Sequence, residues 1–495
     1  MRSLNSSVIL ISVATILIVA GCAPKKNLPI TSSTSKAGYH YQAVREKPSP
    51  DKPFVLLAFS GGGTRAAAFS FGLMEALAKV QYTPKVGTSK RKLLDNVEII
   101  SSVSGGSFTA AYYVLFPDSF FDDFPKKMLY QNIQAELVFN LFNPYNWFRL
   151  ASPNFSRIDM AAEYYDQNIF QKKTFADLLE NPKGKVPFLV LNATDIGITH
   201  RFEFTQDQFD LLCSDLATVS VARGVAASSN FPVAFAPLTV NIYKGNEEDN
   251  INCPPMPKWI NLALEDSRFD RRYSEAEAAA SYRRKDRSFA HLLDGGLSDN
   301  LGLRGAFHAV TTTDNNKNIL NTKLDSLMVI VANAKTTKNH DWDMKSNPPG
   351  ITSVLNVALN GPMDDVSFDS VEMFENHFKY MKQISDTVEA CNKQLKDCRG
   401  EPLITNPIKT NYSFTELSFD RVRDKHLRRC LQELPTSFAL PRKTIDLLRQ
   451  VAAESLMTSK SFIDGMRHLD PAWNPESIVI DPKLVNEVCG VSTHE

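Results

Sequence analysis

The sequence predicts an α/β protein, with a mostly parallel sheet covered by helices and a mainly helical C-terminal region. The first observation is an alternation of short β-rich runs with longer helical ones: Phe54 to Ser60 then Ala66 to Val80, and Val97 to Val103 then Gly105 to Leu115. A strand–helix–strand pattern needs crossover connections, hence parallel strands with helices on their faces. The second observation is a set of further strand-length runs: Phe188 to Asn192, Ile198 to Thr205, Phe289 to Leu293 and Leu327 to Asn333. The third is that clear strands disappear beyond about residue 336. The best-defined element there is a helix starting at Pro441, with Ile445, Leu448, Ala452 and Leu456 on one face. The chain divides into a leader over 1–21, a flexible tether over 22–50, a sheet-bearing domain over 51–335 and a C-terminal extension over 336–495.

The leader places Arg2 before a 13-residue apolar stretch, Val8 to Ala20. That length suits an export signal and falls short of the ~20 residues that span a bilayer. It ends Ile18-Val19-Ala20-Gly21-Cys22, which resembles the lipobox of bacterial lipoproteins, so Cys22 is expected to carry a lipid anchor. Ala23, standing where Asp would favour inner-membrane retention, points to the outer membrane, with the protein facing the periplasm or the cell surface. Residues 23–50 are rich in Pro, Ser, Thr and Lys and show no helical or strand period, which reads as a tether. Six cysteines remain besides Cys22: Cys213, Cys253, Cys391, Cys398, Cys430 and Cys489. An exported protein permits disulfides, and a local Cys391–Cys398 loop is the favoured pair.

Of the 495 residues, 43% are hydrophobic and 22% charged, an ordinary globular balance that sets disorder and fibrous builds aside. Basic and acidic residues both number 55, with no basic run of five, so nucleic acid is not an expected partner. No HExxH, EF-hand loop or CxxC pair appears, and neither metal nor cofactor is expected.

Three motifs stand where such a fold places chemistry. Ser60-Gly61-Gly62-Gly63-Thr64-Arg65 follows a strand and opens a helix. Three glycines free the backbone amides to converge on an anion at the positive end of that helix, either a phosphate or an oxyanion. Neither a P-loop nor a GxGxxG pattern is present, and a Gly turn needed only for packing is the competing reading. Ser101-Ser102-Val103-Ser104-Gly105-Gly106 joins a strand to a helix as a nucleophile elbow does, with Ser104 at the exposed position. Ser102 replaces the first Gly of GxSxG, and a plain Ser N-cap would look similar. Leu292-Leu293-Asp294-Gly295-Gly296 ends an apolar strand in an acid, at the rim where open α/β sheets place their sites, although an Asp-Gly turn is also common for purely local reasons.

Taken together, in the order GGGxR, xxSxG and DGG, the motifs resemble the patatin-like phospholipase family over about residues 54–335. The resemblance implies an oxyanion hole formed and supported by Gly61, Gly62, Gly63 and Arg65. It also implies a dyad without histidine, in which Ser104 attacks and Asp294 activates it. Ala66 and Ser102 stand where the family usually has Gly. Asn192-Ala193-Thr194-Asp195 and Ala226 to Pro232 are similar to segments that the family uses inside its fold. The implied activity is hydrolysis of a phospholipid or other acyl-ester lipid through an acyl-serine. Alternatives on the same dyad are a lysophospholipase, a thioesterase or a lipoprotein-directed esterase, and from another class a non-catalytic lipid-binding lipoprotein. His291 and His308 flank Asp294 and would extend the dyad to a triad, but each reads better as a packed or surface residue. An aromatic run, Phe116, Phe120, Phe121, Phe124, Tyr130, Phe139, Phe142, Tyr145, Trp147, Phe148 and Phe155, is expected chiefly in the core, with acyl-chain or bilayer contact as the other reading.

Overall fold

The computed structural model describes residues 27–31, 38–49, 51–85, 88–232, 235–245, 251–266, 270–306, 324–337, 344, 346–399 and 410–490. Its centre is an eight-stranded sheet. The strands are β1 (Phe54–Phe59), β2 (Val97–Val103), β3 (Phe188–Asp195), β4 (His200–Glu203), β5 (Leu238–Asn241), β6 (Phe289–Asp294), β7 (Ser326–Asn333) and β8 (Asn411–Ser418). They run in the order β8-β7-β1-β2-β3-β6-β5, with β4 on β3. From β8 to β3 every pairing is parallel; β4, β5 and β6 run antiparallel to their neighbours. β1 and β7 are buried along their whole length, which is why they read as unbroken apolar runs.

The helices that matter to the site are α1 (Gly63–Lys79), α2 (Gly105–Leu115), α3 (Ile133–Leu141), α4 (Pro144–Leu150), α5 (Arg157–Asn168), α6 (Val221–Ser228), α7 (Ile351–Arg399), α8 (Lys425–Gln432) and α9 (Arg442–Thr458). α1 carries Ala66, Ala67 and Ala68 and is buried on almost every side, because it lies between the sheet and α9. An Arg449–Glu75 ion pair at 2.8 Å ties the two helices together.

Two of the expected boundaries shift. Residues 336–495 are mainly helical but also supply β8, which pairs with β7 over eight positions from Ser326↔Asn411 to Asn333↔Ser418. The C-terminal region therefore completes the eight-stranded sheet. The described part of the tether is docked too. Tyr39 is fully buried, stacked on Phe188, and its hydroxyl accepts the amide of Leu189 at 2.8 Å. Arg45 is buried against Glu98 at 2.6 Å and donates to the carbonyls of Gly184 and Val186. Single side chains filling specific holes leave no period in a sequence, so composition alone misreads such a segment.

The cysteines pair as Cys213–Cys253 and Cys430–Cys489, with Cα separations of 4.8 and 5.5 Å. Cys391 is free, which overturns the local Cys391–Cys398 loop. Both lie on α7, where seven positions correspond to about 10.5 Å of rise, beyond the ~7 Å that a disulfide bridges. Cys22 and the whole leader lie outside the described residues.

Candidate active site

The floor of the site is two turns pressed against each other. After β1 the chain passes Gly62 at φ 139° and Gly63 at φ 59°, a backbone region that favours glycine, and enters α1. After β2 it passes Ser104 at φ 49° and ψ −119° and enters α2. A side chain held there is strained, at a cost on the order of 1–3 kcal/mol. A Cβ on Gly105 would stand 2.0 Å from the Gly63 carbonyl oxygen, so the two turns require glycine where they meet. Ser102, which departs from the family pattern, is fully buried and donates to the Val190 carbonyl at 3.3 Å.

A hydrogen-bond lattice fixes the elbow. The Ser104 amide donates to Ser228 Oγ at 2.9 Å, and Ser228 donates in turn to the Asn192 carbonyl at 2.6 Å. The Asn192 side-chain amide donates to Ser101 Oγ at 2.9 Å and the Ser102 carbonyl at 3.0 Å. Asn192 and Ser228 belong to the two segments whose family resemblance is weaker than that of the three motifs.

Asp294 reaches the same rim from an unexpected direction. β6 is antiparallel, so Asp294 does not end a parallel strand as the three-motif pattern implied. Instead β3 overshoots the rim, and β6 descends along it until Asp294 pairs with Ala193. One residue earlier on β3, Asn192 pairs with Val103, the residue before Ser104. Register through β3 therefore brings the acid to the elbow. The Asp294 carboxyl accepts the Gly296 amide at 2.8 Å and lines the same pocket as Ser104. Burial pushes it up to about 6, and the Gly296 amide and the neighbouring Ser104 only partly oppose that rise.

Fewer amides are left open at the glycine turn than the motif implies. The Gly61 amide donates to the Asn300 carbonyl at 3.1 Å, and the Thr64 amide to the Ser437 carbonyl at 2.8 Å. The Gly62 and Gly63 amides meet no acceptor among the described residues, at the N-terminus of α1 where an anion is favoured. Gly61 is thus spent on packing. Arg65 is buried and does not line the pocket itself. It donates to the Ala334 carbonyl at 2.9 Å, the Leu434 carbonyl at 2.7 Å and Thr436 Oγ1 at 3.2 Å, and burial pulls it down to about 10. It holds the C-terminal loop against the end of β7.

Above the floor opens a pocket of about 490 Å³, with Ser104, Asp294 and Gly63 at its base. α3 supplies Leu137, Val138 and Leu141, the turn after α6 supplies Phe231 and Phe235, and the C-terminal loop supplies Thr436, Ser437 and Phe438. Nothing in the sequence marked that last loop. Arg157, at the start of α5, is the one basic side chain in this lining. No described histidine lines it. His291 is exposed, bonded through Nδ1 to Thr239 Oγ1 at 3.0 Å, and three positions from Asp294 along a strand it faces the opposite side of the sheet. His308 lies outside the described residues.

The family model described as patatin-like phospholipase matches residues 57–307. The chain belongs to the patatin-like phospholipase family. Among solved structures, human GIVD cytosolic phospholipase A2 in complex with methyl gamma-linolenyl fluorophosphonate is similar at 13% identity, over 88% of this chain and 62% of that one, with a TM-score of 0.37. The same human enzyme with that inhibitor and terbium chloride gives 12%, 86%, 62% and 0.38. VipD from Legionella pneumophila gives 11%, 89%, 73% and 0.25. This chain thus spans 62% of the length of the human enzyme. No curated protein matches it.

Proposed function

We propose that the protein is a phospholipase A-type acyl hydrolase acting through a Ser104–Asp294 dyad. The carrying observation is the pairing of a strained Ser104 with a buried carboxyl raised to about 6, at the base of a largely apolar pocket. Ser104 Oγ attacks the acyl carbonyl carbon and its proton passes to Asp294. The carbonyl oxygen, now anionic, rests on the Gly62 and Gly63 amides. The ester C–O bond then breaks, and the leaving alkoxide takes the proton back from Asp294. Water attacks the acyl-serine, gives its proton to Asp294, and the fatty acid departs as Ser104 is restored. An acid raised to about 6 is a stronger base than an ordinary carboxylate and is still ionised at neutral pH.

Arg157, on a largely apolar wall, supports a phosphate-bearing lipid over a neutral ester or a simple thioester. We also propose that lipidated Cys22 anchors the protein to the outer membrane, a reading supported by two disulfides that suit an oxidising compartment. The test is release of fatty acid from phospholipid vesicles. Asp294→Asn should cut the rate by ~10²-fold or more, and His291→Gln should leave it near wild type. A His291 variant as damaged as Asp294→Asn would replace the dyad with a Ser-His-Asp triad.

A further inference from the structure

The aromatic run divides sharply. Phe120, Phe124 and Phe155 are buried, and Phe116, Phe121 and Tyr130 pack against the core. In contrast, Phe139, Phe142, Tyr145, Trp147 and Phe148 are 57–78% exposed, all on the hairpin formed by α3 and α4. The hairpin is braced from within. Trp147 Nε1 donates to the Leu141 carbonyl at 2.7 Å, and the Asn146 side-chain amide to the Asn140 carbonyl at 2.8 Å. At its base Arg149 pairs with Glu163 of α5 and lies over the Phe155 ring at 3.8 Å. These rings are therefore held outward by a built element.

From these contacts we propose that the α3–α4 hairpin inserts into the lipid surface that holds the substrate and sets the pocket mouth against it. This rests on the acyl-hydrolase reading above. The hairpin is continuous with the pocket: Val138 is 47% exposed and also lines it, beside Leu137 and Leu141. Residues 137–148 carry no charge, so immersion strips no ion of water. Trp and Tyr suit the boundary, with apolar rings and one polar atom each. No described helix is long and apolar enough to cross a membrane, so the contact is a docking one. The lack of charge commits the surface to a neutral bilayer rather than an anionic one. Attachment should then depend on ring burial and hardly on salt.

The test places the full chain, inactivated by Ser104→Ala, on phosphatidylcholine vesicles whose acyl chains carry bromine, and follows tryptophan fluorescence. Because no turnover is needed, the result stands whether or not the hydrolase reading does. Quenching should occur, persist in high salt, and be lost in Trp147→Phe. Equal quenching with and without Trp147, or its loss in salt, would overturn the proposal. Shielding of Trp147 from both lipid and aqueous iodide would also overturn it, by assigning the patch to a second protein surface. With Ser104 restored, Phe139→Ser/Phe142→Ser/Phe148→Ser should lower vesicle hydrolysis on the order of 10³-fold, since each ring half immersed is worth about tenfold. Hydrolysis of a soluble short-chain ester should not change.

Discussion

The floor and the wall of the pocket are built by different means. On the floor, Gly63, Ser104 and Gly105 meet at backbone distances that leave no choice of residue, and strain is held by a lattice of short hydrogen bonds around Asn192 and Ser228. The wall is assembled from distant parts of the chain: α3, the turn after α6, and the loop Thr436 to Phe438, held by Arg65 across 369 positions of sequence. On the proposed function, reaction chemistry sits where the backbone dictates geometry, and selection of the acyl chain falls to the region that side chains can reshape.

The largest expected effect is on the floor. Gly105→Ala drives a methyl group into the Gly63 carbonyl, and neither turn can retreat without moving a strand. We expect about 3 kcal/mol or more of lost stability together with loss of activity. A Gly105→Ala protein with normal denaturant stability would show that the two turns are less closely locked than described. On the wall, Arg65→Met keeps the packing of the stem but leaves the Ala334 and Leu434 carbonyls without their donor, a loss of about 1–3 kcal/mol each. Because Arg65 touches the loop and not the reacting atoms, KM for long-chain substrates should rise more than kcat falls, with partial rescue by Arg65→Lys. An equal fall in kcat with KM unchanged would instead assign Arg65 to the oxyanion.

A smaller effect concerns Asp294 alone. Its carboxyl lies at about 6 in the folded protein against 3.8 for the free group, so folding favours the protonated form. The destabilisation is complete above about 6 and vanishes below about 3.8, the reverse of a salt-bridged acid. Asp294→Asn should therefore be more stable than the wild type at pH 8, by on the order of 1–3 kcal/mol, and nearly equal to it at pH 4. The rate for wild type should rise through about pH 6 to a plateau, as the base ionises. An Asp294→Asn protein less stable at pH 8 would mean that Asp294 holds its turn and is not the base.

The same contrast governs what the sequence reveals. The Gly61–Gly63 and Ser104–Gly106 turns were legible because a tight strand–helix junction admits few residues, and those residues are printed side by side. Asp294 was legible as an acid at a strand end, although its strand runs the other way and reaches the rim only through the overshoot of β3. That Gly61 and Arg65 serve packing was not legible, since the acceptors Asn300, Ala334 and Leu434 are distant in sequence. Strand β8 escaped notice because Asn411 to Ser418 mixes polar and apolar residues without a clean alternation and lacks the apolar run of β7. The buried Tyr39 and Arg45 escaped because one hole filled by one side chain makes no pattern. The split of the aromatic run between core and surface depended on where α3 and α4 project, which periodicity over helices of nine and seven residues does not determine.

The most direct test of the dyad is covalent. The folded wild-type protein, treated with a fluorophosphonate and digested, should carry one adduct, on the peptide containing Ser104. Ser104→Ala should carry none while its circular dichroism is unchanged. An adduct on Ser60, Ser102 or Ser107, or one that persists in Ser104→Ala, would contradict the assignment of the nucleophile and with it the mechanism.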